Sequence, residues 1–254
     1  MRIESKNMLQ TYVLRLADNA LIIGQRLSEW CGHAPALEED IATANTALDL
    51  IGQARNWYAY ASSLDADKRS EDQLALLRDE KDYVNVLLAE QPNDDYAVTL
   101  MRQCIFDVWH YHLLQQLIGS KDETIAAVAQ KSIKEVTYHL TRSSDLITRL
   151  GDGTQESHEK LQDALNTLWR FSGELTTADE IDDAMTDQGI GADLSIVETR
   201  FQADIAAIFK GANLTAPKVG YMQRGGKAGV HSESMGRLLA EMQVTQRTFP
   251  NAVW

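Results

Sequence analysis

Cysteine is nearly absent from this chain: two residues in 254, Cys31 and Cys104. They share no metal-type spacing and both fall in helical patterns, so they are expected to be buried, reduced thiols, and neither is a nucleophile candidate. Basic residues are scarce beside acidic ones, 24 against 37, for a net charge of -13, and no basic run is interleaved with aromatics. Nucleic acid and an anionic membrane both demand clustered positive charge, so neither is expected as the main partner. Long apolar runs are missing too, with nothing near the ~18 to 20 consecutive residues of a membrane span. The opening stretch MRIESKNMLQ has neither the apolar segment nor the cleavage site of a signal peptide, so a cytoplasmic location is expected. No segment of any length alternates as a half-buried strand does, which leaves helix as the supported element.

What the chain has is apolar residues at three- and four-residue intervals and, at 44% hydrophobic, enough of them for a large core. A single domain over 1–254 is expected. The first helix is predicted over 6–31, with Leu9, Tyr12, Val13, Leu16, Ala20, Ile23, Leu27 and Trp30 on one stripe, and Gly32, His33 and Pro35 ending it. The second, over 35–64, carries Leu48, Leu50, Ile51, Ala54 and Trp57 around most of its circumference, as a helix buried in a bundle does. A third is predicted over 72–90, a fourth over 96–119 and a fifth over 122–150. Shorter helices are predicted over 157–172, 179–188, 194–210 and 232–248, with 211–230 as the one long loop. Four helices of about 25 residues in two antiparallel pairs read as an all-α, ferritin-like four-helix bundle with additional C-terminal helices.

Such bundles hold di-iron carboxylate sites when each helix pair supplies one carboxylate and one Glu-x-x-His, whose i and i+3 side chains share a face. No Glu-x-x-His occurs anywhere in this sequence. The fourth helix offers Asp107 and His110, and the fifth Glu135 and His139, a half-site that could hold one metal. The plainer expectation is a buried polar network with a positive partner such as Lys134 or Arg102. The other pair has Leu50 and Gln53 near the middle of its second helix, where a ligand set would need a carboxylate and an imidazole.

Longer motifs carry a resemblance. Residues 29–35 (EWCGHAP), 48–56 (LDLIGQARN), 90–93 (EQPN), 149–154 (RLGDGT), 168–171 (LWRF) and 241–243 (EMQ) resemble the C-subunit family of the bacterial phenylacetyl-CoA epoxidases, a phenylacetic acid catabolic family of ferritin-like fold. The resemblance spans essentially the whole chain. It implies a structural subunit, with no catalytic residue, metal or cofactor of its own, in a multicomponent monooxygenase of aerobic phenylacetate breakdown. The partner it implies is the homologous catalytic A-type component, which carries the di-iron centre and meets phenylacetyl-CoA. Where that homologue has Asp-Glu-x-x-His, this chain has Asp49-Leu50-Ile51-Gly52-Gln53, so Leu50 stands for the ligand Glu and Gln53 for the ligand His.

The resemblance also implies ligand contacts near Asp82, Tyr83, Val84 and Asn85, expected on the third helix, and near Asp183, Ala184 and Met185. Two alternatives remain at this point: a mononuclear metal enzyme using Asp107, His110, Glu135 and His139, or a binding module for a CoA thioester. The glycine-rich run 225–231 (GGKAGVH) lacks the spacing of a phosphate loop and is expected to contact a partner or pack within the chain. Ser28, His33 and Asp40 are read as helix-end caps rather than a hydrolase triad. Trp30, Trp57, Tyr58 and Tyr60 are expected to form part of a subunit interface.

Overall fold

The structure, a computed structural model, describes residues 5–249, with side chains from Met8 onward. It is an all-α fold of the ferritin-like helical class, with no strand among the described residues. The chain divides into two compact units, one made of Met1–Pro92 with Gly225–Trp254 and the other of Asn93–Arg224.

The first unit is built on α1 (Ser5–Glu29) and α2 (Leu37–Leu64). They run antiparallel: Gln10 of α1 donates to Asp65 just past the end of α2, Asp18 meets Tyr58, and Gly24 faces Ala47, Leu50 and Ile51. A Cβ at Gly24 would lie 3.2–3.4 Å from those three residues, so the missing side chain lets the helices approach closely. Val13, Ala17, Ile22 and Ile23 of α1 are fully buried, as are Leu50, Ala54, Trp57 and Ala61 of α2.

Three expectations for this unit are corrected. The third helix is far shorter than 72–90. It covers only α3 (Glu71–Leu76), started by a capping box on Ser70, and is followed by a 3-10 turn at Glu80–Asp82 and extended chain. The reason is tertiary: the backbone amides of Val84 and Val86 donate to the side chains of Asp18 and Asn19 on α1, each at 2.8 Å, so they are not available to a helix. Leu48, expected inside, is 66% exposed, and Leu37 and Ile41 on α2 are also exposed, at 71% and 51%. Cys31 is exposed as well, because α1 ends at Glu29 and the chain turns outward through Gly32 at φ +84, whereas Cys104 is buried.

The C-terminal part of the same unit contributes α10 (Glu233–Met242) and α11 (Val244–Thr248), which lie where one helix over 232–248 was expected. Met235, Leu238 and Leu239 anchor α10.

The second unit is organised around α4 (Tyr96–Leu117), whose sixteen buried residues leave almost no exposed face. It packs against α5 (Glu123–Gly151), α6 (Gln155–Leu168) and α9 (Leu194–Gly211). Aspartates cap the unit's three longest helices: Asp95 accepts from the Val98 amide, Asp122 from those of Thr124 and Ile125, and Asp193 from those of Ser195 and Ile196. Between α6 and α9 lie α7 (Gly173–Thr176) and α8 (Glu180–Asp187). Trp169 stacks on Phe201 and meets Phe209 edge-on, which fixes the chain after α6 to α9.

Candidate functional site

The polar seam between α4 and α5 is where the sequence places a half-site. Gln103, Asp107 and His110 are spaced by four and three residues, so they share one face of α4, and Ser132, His139 and Ser143 do the same on α5. All six are buried. Asp107 accepts from Gln103 Nε2 at 2.6 Å through one oxygen and from Ser143 Oγ at 2.8 Å through the other. Burial pushes its carboxyl up to about 6, against the opposing pull of His139, these two hydrogen bonds and Arg142. Burial, with His139 adding to it, pulls His110 down to about 3, so its imidazole is neutral at physiological pH.

The expected polar network is present, but its partners differ from those expected. Lys134 is exposed to solvent, and the Arg102 guanidinium donates to Asn93 Oδ1 at 2.7 Å. Asp107 is instead held by two neutral donors, with His139 and Arg142 as its nearby positive influences. Glu135 is only half-buried, unlike Asp107, His110 and His139.

The donor types here would suit a divalent metal, but their arrangement does not. Among the described residues no three His, Cys, Asp or Glu side chains converge on one point, and both Asp107 oxygens are already committed to hydrogen bonds. As arranged, the seam holds a buried acid in a cradle of amide and hydroxyl groups.

Leu50 and Gln53 face inward from α2, both buried. Leu50 sits opposite Gly24, with its Cβ 3.3 Å from the point a Gly24 Cβ would occupy. A packed aliphatic side chain therefore fills the position at which the resemblance implies a carboxylate in the di-iron homologue.

The two stretches expected to touch a ligand belong to different units, the first near residue 83 and the second on α8. Tyr83 and Asn85 lie on extended chain rather than on a helix, and both are fully buried. Tyr83 donates to the Ala75 carbonyl at 2.6 Å, with burial raising its phenol to about 12, and Asn85 donates to Glu90 at 3.2 Å. Asp82 is exposed and Val84 half-buried. On α8, Met185 is buried, Asp183 exposed and Ala184 half-buried.

Several buried polar residues near the first of these stretches were not singled out from the sequence. Asp18 accepts from both the Arg78 guanidinium and the Tyr58 hydroxyl, and Arg78 also donates to the Leu74 carbonyl. Burial raises the Tyr58 phenol well above its ordinary range, with Asp18 adding to the effect. Asp18 and Asn19, adjacent within the otherwise apolar run 16–23 of α1, were the available signal. Trp57 and Tyr58, expected at an interface, prove to be core, while Trp30 and Tyr60 are half-buried. Asp40 accepts from the Gly32 and Ala34 amides and Ser28 donates to the Gly24 carbonyl, so these residues cap and brace the α1–α2 turn.

The sequence is similar to known proteins over nearly its whole length. Residues 1–254 match the family described as phenylacetic acid catabolic protein. The chain is 48% identical over 248 residues to the C subunit of 1,2-phenylacetyl-CoA epoxidase from Escherichia coli (strain K12), a match covering 98% of this chain and all of that protein.

Proposed function

Since the chain belongs to the phenylacetic acid catabolic protein family, we propose that it is the structural, non-catalytic C component of a phenylacetyl-CoA epoxidase complex. In that role it supports a homologous catalytic subunit that carries the di-iron centre and receives the CoA thioester. The observation that carries this reading is at positions 50 and 53. A packed leucine and a buried glutamine stand where a working helix pair needs an ionised carboxylate and an imidazole. The committed oxygens of Asp107 support it from the other helix pair.

A second feature suits a member of a complex. Leu37, Ile41 and Leu48 lie along one face of α2, with Ala44 between them and Gly52 further along, and the three large side chains are exposed to solvent. A contiguous apolar stripe on a helix is what an intersubunit contact covers. We assign this face to contact with another member of the same complex. It replaces the aromatic cluster at Trp57 and Tyr58, which is already used inside the chain.

The test is to express the catalytic subunit with and without this chain and to assay both preparations with the complete reductase system. Soluble, active catalytic subunit only in the co-expressed preparation supports the proposal. Equal yield and equal turnover in the two overturn it. The proposed complex is cytoplasmic. Among the described residues no helix is long and apolar enough to cross a membrane.

A further inference from the structure

The glycine-rich run that begins at residue 225 is the start of a strap. Gly225 closes a tight turn by accepting from the Ala228 and Val230 amides, and Gly226 and Gly229 then press onto the stretch before Pro92. A Cβ at Gly226 would lie 2.1 Å from the Asn85 carbonyl oxygen, and one at Gly229 2.2 Å from that of Lys81, so only glycine permits the approach. Further along, Gln243 donates to the Arg78 carbonyl at 2.8 Å and to the Tyr83 hydroxyl at 2.9 Å. Arg247 adds a bond to the Arg78 carbonyl at 3.0 Å. Residues 225–249 thus lie across 78–90 from end to end.

One charged pair sits inside this contact. His231 and Glu90, separated by 141 positions, meet at 2.8 Å with both side chains inaccessible to solvent. The Glu90 carboxylate also accepts from the Ser232 amide at 2.6 Å and from Asn85 Nδ2 at 3.2 Å, three donors in all. The other ring nitrogen, Nε2, lies 3.0 Å from the Tyr83 carbonyl oxygen, which can only accept. With an acceptor at each nitrogen, the ring satisfies both only as an imidazolium.

We propose that residues 225–249 are a strap latched onto 78–90 by the His231 imidazolium and the Glu90 carboxylate, and that loss of the His231 proton releases the latch. The neutral ring can donate from only one nitrogen, so one of the two buried acceptors loses its partner. Of the charged groups facing the ring, Glu90 and the more distant Glu80 favour the cation. Arg26 of α1 is directed at the Glu90 and Ser234 carbonyls, bracing both sides of the latch. Burial opposes the charge on His231, but the hydrogen bonds to Glu90 and Tyr83 outweigh it and the ring titrates above its ordinary value. The latch is therefore fully engaged below the ordinary histidine value of ~6.5 and weakens as pH rises through the value in the closed strap.

Hydrogen exchange on the full chain from pH 6 to 9, corrected for intrinsic rates, reads the strap directly. Protection of peptides in 225–249 should be constant below pH ~6.5, fall by up to about tenfold per pH unit above it, and level off beyond the closed-state value. His231→Gln should lower that protection and abolish its pH dependence. Ring nitrogen resonances of the unmodified protein supply a measurement that needs no variant, and both nitrogens should carry protons at pH 6. A neutral ring at pH 6, strap protection unchanged between pH 6 and 9, or the wild-type pH dependence surviving in His231→Gln would each overturn the proposal.

Discussion

The carboxylate of Asp18 in α1 holds the guanidinium of Arg78, sixty residues further on, through both of its oxygens, with both side chains withdrawn from solvent. The pair sets the path of the chain that follows α3. One Asp18 oxygen also takes the Val84 amide, so a single side chain positions an arginine, a tyrosine hydroxyl and a backbone turn. Cutting either partner leaves the other as a buried, uncompensated charge.

Arg78→Ala should therefore lower stability by about 3–5 kcal/mol. Arg78→Lys should recover only part of that loss, because a single ammonium cannot reproduce the two-pronged contact with Asp18 and still reach the carbonyls of Leu74 and Asp82. Urea titration of the three proteins gives the values, and a loss under about 1 kcal/mol for Arg78→Ala would contradict the assignment.

Asp107 makes a prediction about pH. Its folded value, near 6, lies above the unfolded one, near 3.8, so the native state binds the proton more tightly than the unfolded chain does. Stability should then fall as pH rises through this window and stay lower above it. Asp107→Asn removes the charge and keeps the shape. Its advantage over the wild type should grow between pH 4 and 6 to the order of 3 kcal/mol, at ~1.4 kcal/mol per pH unit. Paired denaturation curves at pH 4, 5, 6 and 7 test it, and a constant difference between the two proteins would show that Asp107 does not titrate as described.

The same experiment distinguishes hydrogen bonding from charge. Asp107→Ala strips Gln103 Nε2 and Ser143 Oγ of their acceptor, so it should cost about 1–3 kcal/mol near pH 4, where the wild-type carboxyl is largely protonated.

His110 should stay neutral throughout the physiological range. Its ring resonances are expected to hold steady from pH 8 down to about pH 4, because burial and the neighbouring His139 both oppose the charged form. A titration centred near the ordinary histidine value of ~6.5 would mean that water reaches the seam.

The exposed face of α2 gives a test of partnership that leaves the fold alone. Ile41→Glu combined with Leu48→Glu alters two solvent-facing side chains, so the isolated chain should keep its stability to within about 0.5 kcal/mol per substitution. If this face makes the proposed contact, co-purification with the other members of the complex should be lost. Retained co-purification would move the intersubunit contact elsewhere on the chain.

Much of this protein was determined by its sequence alone. The periodic apolar stripes place α1, α2, α4 and α5 within a few residues of where they lie, because helix faces are set by spacing that is local to the chain. The aspartates that cap α4, α5 and α9 stand just ahead of those helices. That Leu50 and Gln53 offer neither a carboxylate nor an imidazole is equally a matter of residue type at fixed positions. What only the tertiary structure decided concerns groups whose partners are far away in sequence. The helical pattern over 72–90 was overruled because Asp18 and Asn19 claim the amides of Val84 and Val86, and no local pattern contains that competition. Leu48 follows the same helical period as its buried neighbours, yet the face it occupies is left uncovered. The network around Asp107 was legible as polar, but its donors depended on the register of α4 against α5. His231 looked like the end of a loop until Glu90, 141 residues earlier, was brought against it. Helical periodicity is a property of three or four neighbouring residues, whereas the protonation and burial of a side chain depend on whatever the folded chain places beside it.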